Sequence, residues 1–403
     1  FVGISGRAEG LSQVPDGVFL PPMEMNCVEQ HVASAIDGAF GGRRRMTIGR
    51  VAVLTEDHKG RSACHYCGPC QRGCSTRSYF SSLNATLPAA EATGRLTLRA
   101  NSVVPSVIWD PRAGRVSGVR VIDAESHDEL EFHARTVFLA ASALESERIL
   151  LNSVSADFPD GLANSSGAVG KYLMDHPMGV GAWANFEGFE DRTTRGRRPN
   201  GIYVPRFANV TEPSSDFLRG YGYQGSASRA GWGRGASMPG YGADFKHELM
   251  RPGRWGFGIN AWGECLPREE NHVALDPEQV DKWGIPTLRI SCEWSENEHV
   301  LMRDAAHRAA EMLDAGGGRD ISIDTEMTAP GLTIHEMGTA RMGRDPATSV
   351  LNAHNQAWDA PNLFIVDGAA MTSSACQNPS LTYMALAARA SHYAVWASRR
   401  GEI

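Results

Sequence analysis

Residues 335–346 read His-Glu-Met-Gly-Thr-Ala-Arg-Met-Gly-Arg-Asp-Pro, and a second informative stretch covers residues 362–382. This second stretch begins with Asn-Leu-Phe-Ile-Val-Asp-Gly and ends with Gln-Asn-Pro-Ser-Leu-Thr. Its apolar run Leu363–Val366 predicts a buried strand, and Asp367 and Gly368 follow where the strand ends. Glycine at this point lets a ligand approach the backbone closely, so the pattern favours a binding site at the end of the strand.

A helix is predicted after this loop, from Pro379 to about Arg399. Proline suits the first helical position because its missing N–H would be unpaired there in any case, and Asn378 suits the cap. The free N–H groups and the dipole at such a helix end attract negative charge.

Further upstream, the chain alternates between strand and helix patterns. The run Val137–Ala141 predicts a buried strand, and Leu144–Asn152 predicts the helix that follows it. Alternating residues predict a meander of strands before this pair, one antiparallel sheet within 171–295, and a helix over Glu298–Ala315. The fold class is therefore expected to be α/β or α+β.

The two C-terminal stretches resemble the signature of the glucose–methanol–choline (GMC) family of flavin oxidoreductases, most closely its bacterial sugar and glucoside dehydrogenases. The segment 139–153 is similar to the family's strand-and-helix segment, with Ser142 in place of a glycine. The resemblance implies a discontinuous FAD-binding domain with an inserted antiparallel-sheet substrate domain. The segments so implied are a wrapping segment (1–63), a cysteine-rich loop (64–78), FAD-binding parts (79–170 and 345–403) and a substrate-binding domain (171–344).

The same resemblance implies that His335 and Asn378 are the catalytic residues. A base must take the hydroxyl proton because an alkoxide expels hydride more readily than an alcohol does, and the pKa of histidine lies near working pH. Asparagine stays neutral and can orient the oxygen without competing for the proton. The cofactor contacts that the family comparison suggests are Val103, Val104, Ala140, Ala141, Asp367, Gly368, Asn378, Pro379 and Leu381.

Four of the eight cysteines lie within eleven residues, as Cys64, Cys67, Cys70 and Cys74. Their spacing, C-x2-C-x2-C-x3-C, is the one with which bacterial ferredoxins hold iron–sulfur clusters, although Ser75 stands where ferredoxins have proline. Zinc usually takes two separated cysteine pairs, and two local disulfides would suit an exported protein. We expect an Fe–S cluster of open nuclearity, with zinc and disulfides as the alternatives.

A Gly-x-Gly-x-x-Gly pattern at 220–225 follows no apolar strand and opens no helix, so it is not expected to bind a dinucleotide. Members of the GMC family begin with a strand, a Gly-rich turn and a helix that binds the ADP pyrophosphate. These 403 residues lack that element. We expect it to come from a longer form of the chain or from a separate chain.

Composition narrows the possible partners. The net charge is −7 and the longest basic run is Arg43–Arg45, so nucleic acid is not an expected partner, and no apolar stretch is long enough to predict a membrane span. The expected function is FAD-dependent oxidation of a hydroxyl group on a sugar or glycoside, with electrons passed through the Fe–S cluster to a cytochrome or quinone. The resemblance further implies a small partner subunit and a periplasmic location. The alternatives are an oxidase with structural cysteines and a non-catalytic Fe–S or scaffold subunit.

Overall fold

The computed structural model describes residues 1–403. It contains six α-helices and sixteen β-strands. The helices are α1 (Cys27–Phe40), α2 (Leu87–Glu91), α3 (Glu145–Asn152), α4 (Gly242–Met250), α5 (Glu296–Ala315) and α6 (Ser380–Arg399). The strands are β1 (Thr47–Ile48), β2 (Ser102–Val103), β3 (Val107–Asp110), β4 (Arg115–Asp123), β5 (Glu129–His133), β6 (Val137–Leu139), β7 (Lys171–Met174), β8 (Gly181–Phe186), β9 (Ile202–Val204), β10 (Tyr221–Arg229), β11 (Trp255–Gly263), β12 (His272–Val280), β13 (Pro286–Ser291), β14 (Arg319–Asp324), β15 (Met337–Thr339) and β16 (Leu363–Ile365).

The first compact unit comprises residues 1–97, 178–263 and 299–327. Its centre is a six-stranded antiparallel sheet in the order β1-β9-β10-β11-β8-β14. Along β11, Trp255, Phe257 and Ile259 are buried while the residues between them are more exposed, so only one face of the sheet enters the core. Apolar side chains of α1 and of α5 from residue 299 onward complete that core.

Helix α1 shows how the sequence sets an element boundary. The Asn26 side chain accepts a hydrogen bond from the Glu29 N–H, and the Glu29 carboxylate accepts one from the Asn26 N–H. This capping box pairs two N–H groups that the first turn would leave unpaired. Glu29 is fully buried, and its charge is balanced by Arg198 at 2.8 Å.

The second compact unit comprises residues 98–177, 264–298 and 328–403. It holds a meander in the order β2-β4-β3, with β5 paired to β4, and a four-stranded antiparallel sheet in the order β13-β12-β7-β15. It also holds a parallel pair, in which Leu363 of β16 lies opposite Val137 of β6. The pairing of β7 with β15 and of β6 with β16 positions the candidate site.

Several sequence predictions are confirmed and others are wrong. Helices α3 and α5, and strands β3 to β6, form close to where the apolar patterns predict them. The strands within 171–295 belong to two sheets rather than one, because an alternating pattern predicts a strand but does not specify its partner. The last helix begins at Ser380 with Pro379 as its cap, so the predicted capping role of Asn378 is wrong. No helix is both long enough and apolar enough to cross a membrane.

Candidate active site

His335 and Asn378 lie side by side in the second unit. The Asn378 side-chain nitrogen, Nδ2, is 3.5 Å from His335 Nε2, which gives the asparagine amide a partner other than the helix end. Asn378 is exposed and His335 is half-buried. Burial lowers the pKa of His335, against the opposing effect of Asp175. The imidazole is therefore neutral at pH 7 and can accept a proton.

A second histidine, His176, contacts the other side of the His335 ring. The two Nδ1 atoms are 3.2 Å apart, and the ring planes meet at 74°. His176 is only 1% exposed. Burial, followed by the charge of His335, lowers the pKa of His176 to about 4, while Asp175 and the backbone of Ala375 act in the opposite direction. Both histidines are thus neutral at pH 7.

Asp175 holds the loop that carries His335. Its buried carboxylate accepts hydrogen bonds from the N–H of Gly331 at 2.8 Å and of His335 at 3.3 Å, and from both the N–H and the hydroxyl of Thr333. Ile334, between two of these donors, has φ of 56°, a left-handed conformation that is unfavourable for a β-branched residue. Such strain persists only where surrounding contacts hold it, and here Asp175 provides them.

Sequence reasoning missed Asp175 and His176. The available signal was the Asp-His-Pro triplet at 175–177, which follows the strand β7 directly. An acidic residue and a histidine at a strand end are candidates for a site, because polar side chains there can face a ligand. Strand β15, which pairs with β7, lies about 160 residues further along the chain. The sequence alone therefore did not indicate that His176 and His335 are neighbours.

The cofactor residues proposed from the sequence include two segments that the structure brings together. Asp367, just after β16, accepts hydrogen bonds from the N–H of Ser142 at 3.1 Å and from the hydroxyl of Ser146 at 2.5 Å. Both serines follow β6, so the carboxylate links the carboxyl ends of the two parallel strands. Burial raises the pKa of Asp367, and these hydrogen bonds oppose that shift.

The four clustered cysteines lie in the first unit and line one small cavity, together with Thr76 and Ser78. Burial raises the pKa of the Cys70 thiol, and the other three thiols raise it further. Burial also raises the pKa of Cys74, but hydrogen bonds from Ser78 and Thr76 outweigh that effect and lower it to about 7. All eight cysteines are free thiols, and no three His, Cys, Asp or Glu side chains are gathered closely enough to hold a metal ion.

Comparison with known proteins identifies the family. Residues 47–178 match the N-terminal pattern of the GMC oxidoreductases, and residues 267–387 match the C-terminal pattern. The chain belongs to the GMC oxidoreductase family. The resemblance predicted from the two C-terminal stretches is thereby confirmed, and so is the fold class.

Two curated relatives of this GMC chain are dehydrogenases. It is 34% identical to 2-methyl-1,2-propanediol dehydrogenase of Mycolicibacterium austroafricanum, covering 85% of this chain and 62% of the relative. It is 28% identical to the fructose dehydrogenase large subunit of Gluconobacter japonicus, covering 83% and 60%. The chain therefore spans about 60% of the length of these relatives.

The fold of the GMC chain is also that of a solved oxidase. Pyridoxine 4-oxidase from Mesorbium loti superposes with a TM-score of 0.60 at 17% identity, over 93% of this chain and 71% of the oxidase. At that identity the likeness concerns the fold alone. Dehydrogenases and an oxidase thus both occur among the proteins that this chain resembles.

The segments after β6 and β16 fit FAD, the cofactor of GMC oxidoreductases. Ala140, Ala141 and Ser142 are small and exposed, which leaves the carboxyl ends of these parallel strands open to a ligand. Nucleotide cofactors bind in this position in α/β folds. These residues would hold part of the cofactor, and the hydrogen bonds of Asp367 fix the two loops to each other.

The remaining predicted cofactor residues are more scattered. Val103 ends β2, Val104 packs against the core of the second unit, Pro379 is buried, and Leu381 is exposed at the start of α6.

Gly368 was expected to let a ligand approach the backbone, but in the structure it makes room for another part of the protein. A Cβ atom there would overlap the carbonyl oxygen of Glu336, the residue after His335, and would lie 3.1 Å from the Tyr383 hydroxyl. The glycine therefore lets the loop that carries His335 pack closely on the loop after β16.

Proposed function

We propose that the protein is an FAD-dependent dehydrogenase that oxidises a hydroxyl group of an alcohol or sugar to a carbonyl group. The observation that carries the proposal is the pairing of His335 with Asn378, in which a neutral imidazole meets an exposed amide at 3.5 Å. Membership of the GMC oxidoreductases supports FAD as the cofactor.

His335 and Asn378 have different roles in the proposed reaction. Asn378 binds the substrate oxygen and orients it, and Nε2 of His335 takes the hydroxyl proton. Bound FAD supplies the acceptor for the hydride that leaves the carbon. Loss of the proton to His335 together with the hydride would leave a C–O double bond on the substrate. A positioned general base contributes about 10²- to 10⁴-fold to such a reaction.

The substrate class is proposed from the relatives. One is named for a diol and another for fructose, so a compact polyol or a sugar is the expected substrate. We propose a sugar or glycoside first and a small vicinal diol second.

Electron transfer onward is proposed to use the four clustered cysteines. They line one cavity, and the pKa of Cys74 is lowered to about 7, which favours a thiolate ligand. Their spacing supports an Fe–S cluster, for which the loop would have to draw its four sulfur atoms closer together. One relative is named as a large subunit, which supports a small partner subunit here. A periplasmic location and a cytochrome or quinone acceptor belong to the same proposal.

The test is stopped-flow reduction of the full-length holoenzyme under anaerobic conditions, with a panel of sugars and diols. His335→Ala is expected to lower the rate of flavin reduction about 1000-fold while the flavin content stays unchanged. His392→Ala, an exposed histidine on α6, is the matched control and is expected to keep the wild-type rate. An unchanged rate in His335→Ala would overturn the assignment. A wild-type protein that holds no flavin would support the non-catalytic subunit instead.

Iron content and oxygen use separate the dehydrogenase from an oxidase with structural cysteines. The dehydrogenase is expected to contain iron and sulfide, and to reduce dyes far faster than oxygen. Cys70→Ser should lose the iron, whereas Cys27→Ser, in α1 of the same unit, should keep it. Iron-free protein with rapid oxygen consumption would favour the oxidase.

A further inference from the structure

We propose that His176 is a positioning residue that holds His335 in the tautomer with its proton on Nδ1, so that the Nε2 lone pair faces the substrate. The inference rests on the proposed role of His335 as the base. It concerns which ring nitrogen of His335 carries the proton and which carries the lone pair. A neutral histidine can adopt either tautomer, so its surroundings decide.

Strand pairing places the two histidines together. Met174 of β7 lies opposite Met337 of β15 in the antiparallel pair. His176 is two residues beyond Met174 and His335 is two residues before Met337, so both lie just outside the paired strands, where their Nδ1 atoms are 3.2 Å apart. The pairing of β7 with β15 thus brings the two histidine-bearing segments together. Hydrogen bonds to Asp175 hold the backbone of the segment that carries His335.

The 3.2 Å separation of the two Nδ1 atoms allows one proton between them. Each neutral imidazole carries a single proton, on one of its two nitrogens. Two protonated Nδ1 atoms would place hydrogen against hydrogen, and two unprotonated atoms would place lone pair against lone pair. One Nδ1 therefore donates and the other accepts.

Asn378 indicates which histidine donates. Its amide nitrogen faces Nε2 of His335, and an amide nitrogen can only donate. Nε2 must then carry a lone pair, so the proton of His335 is on Nδ1 and His176 accepts from it. In this arrangement Nε2 is the unprotonated nitrogen, and Asn378 marks the side from which a hydroxyl group would approach in place of the amide contact.

The arrangement also stabilises the product of proton transfer. When His335 takes the substrate proton it becomes a cation, and its Nδ1–H bond to His176 becomes charge-assisted and stronger. His176 can accept only while it is neutral, and its depth of burial keeps it so. His176 thereby assists the base without touching the substrate.

The kinetic test compares two substitutions of His176 in the full-length holoenzyme. His176→Leu removes the acceptor and is expected to slow flavin reduction by roughly 10- to 100-fold, the effect of one hydrogen bond to a charged group. His176→Asn places an amide oxygen near the former Nδ1 position and is expected to regain most of the rate. Both variants should keep their flavin and their melting temperature. Equal losses in both, together with flavin loss, would indicate a merely structural role and overturn the proposal.

A spectroscopic test is independent of turnover. In wild-type protein labelled with ¹⁵N-histidine, the signals lost in His335→Ala should show a protonated Nδ1 and an unprotonated Nε2. In His176→Leu the same ring should shift towards protonation at Nε2. A wild-type His335 protonated at Nε2 would overturn the inference even if no variant of His176 folds. If His335→Ala retains its flavin-reduction rate, the proposed function itself fails, whichever tautomer is seen.

Discussion

Two regions hold their reactive groups in different ways. One is the corner around His335, formed by Asp175, His176 and residues 331–335, and the other is the cysteine loop, residues 64–78. At the corner, the pairing of β7 with β15 brings His176 beside His335, and Asp175 binds three residues of the loop that carries His335. In the cysteine loop, backbone hydrogen bonds hold the two ends, from Cys64 to Leu54 and from Leu54 to Ser78. Between them only the short turn Cys70–Arg72 is regular, and Cys67 is exposed.

The difference concerns what assembles each site. At the corner, the protein's own hydrogen bonds preorganise the side chains before any ligand arrives, as electrostatic catalysis requires. In the loop, the four thiols share a cavity without converging, so a bound metal would have to supply the remaining order. Substitutions at the corner should therefore affect chemistry, and those in the loop should affect metal content.

The largest expected effect at the corner, short of removing His335, is that of Asp175→Ala. The substitution leaves the N–H groups of Gly331 and His335 and the hydroxyl of Thr333 without their acceptor. The Thr333 hydroxyl is buried, and a buried donor that loses its partner costs about 1–3 kcal/mol, so we expect flavin reduction to slow about 100-fold and the melting temperature to fall. Asp345→Asn, at an exposed carboxylate outside this hydrogen-bond network, should change neither the rate nor the melting temperature. An Asp175→Ala enzyme with normal kinetics would mean that the loop is fixed by other contacts.

Gly368→Ala should have a smaller effect at the same corner. The added methyl group would displace the backbone of Glu336 and with it His335, and a shift of a few tenths of an ångström is expected to reduce the rate about tenfold. The measurement is flavin reduction at saturating substrate. Gly343→Ala serves as control, because the added methyl group there meets the Ser349 side chain rather than the loop that carries His335. Equal effects of the two substitutions would contradict the specific role of Gly368.

Within the loop, Cys74 should react faster than Cys70 in metal-free protein. The pKa of Cys74 is lowered to about 7 and that of Cys70 is raised by burial and by the neighbouring thiols. Because thiolates of lower pKa are also weaker nucleophiles, the expected advantage at pH 7 is only about fivefold. Mass spectrometry after brief treatment with iodoacetamide measures it, and iron-loaded protein is the control. Faster labelling of Cys70 would contradict this order of the two pKa values.

The smallest expected effect is on the pH profile. His335 must be neutral to accept a proton, so activity is lost as the pH falls through its pKa. Burial lowers that pKa from 6.5, so more than half of the maximal rate should remain at pH 6.5. Asp175→Asn removes a charge that raises the pKa, and should move the midpoint lower still. A wild-type midpoint above pH 6.5 would show that the imidazole is not desolvated.

Much of this arrangement could be predicted from the sequence because it is local. The runs of apolar residues before Ser142 and Asp367 predict strands, and the residues that follow them are loops in the structure. His335 and Asn378 were found through the family signature, and the structure brings them within 3.5 Å. The spacing of the cysteines likewise predicted that they would share one site, and all four line one cavity.

The remainder depends on pairing between distant segments. His176 follows β7, and nothing near it in the sequence indicates that β15 is the neighbouring strand. The role of Gly368 was predicted from its position after a strand, but the group it accommodates is the backbone of Glu336. The cap of α6 was assigned to Asn378 from helix propensities, whereas the amide is engaged by His335. In each case a tertiary contact overrides a local preference.

The pairing of β7 with β15 has a consequence for how the protein folds. His176 and His335 are separated by 159 residues, and most of the first unit's sheet lies between them in the chain. Closing so long a loop costs entropy that only later contacts repay, and contacts of this kind form slowly. The corner around His335 should therefore be among the last regions to gain protection from hydrogen exchange during refolding. A chain whose helices and hairpins have already formed can therefore still lack the contact between His176 and His335.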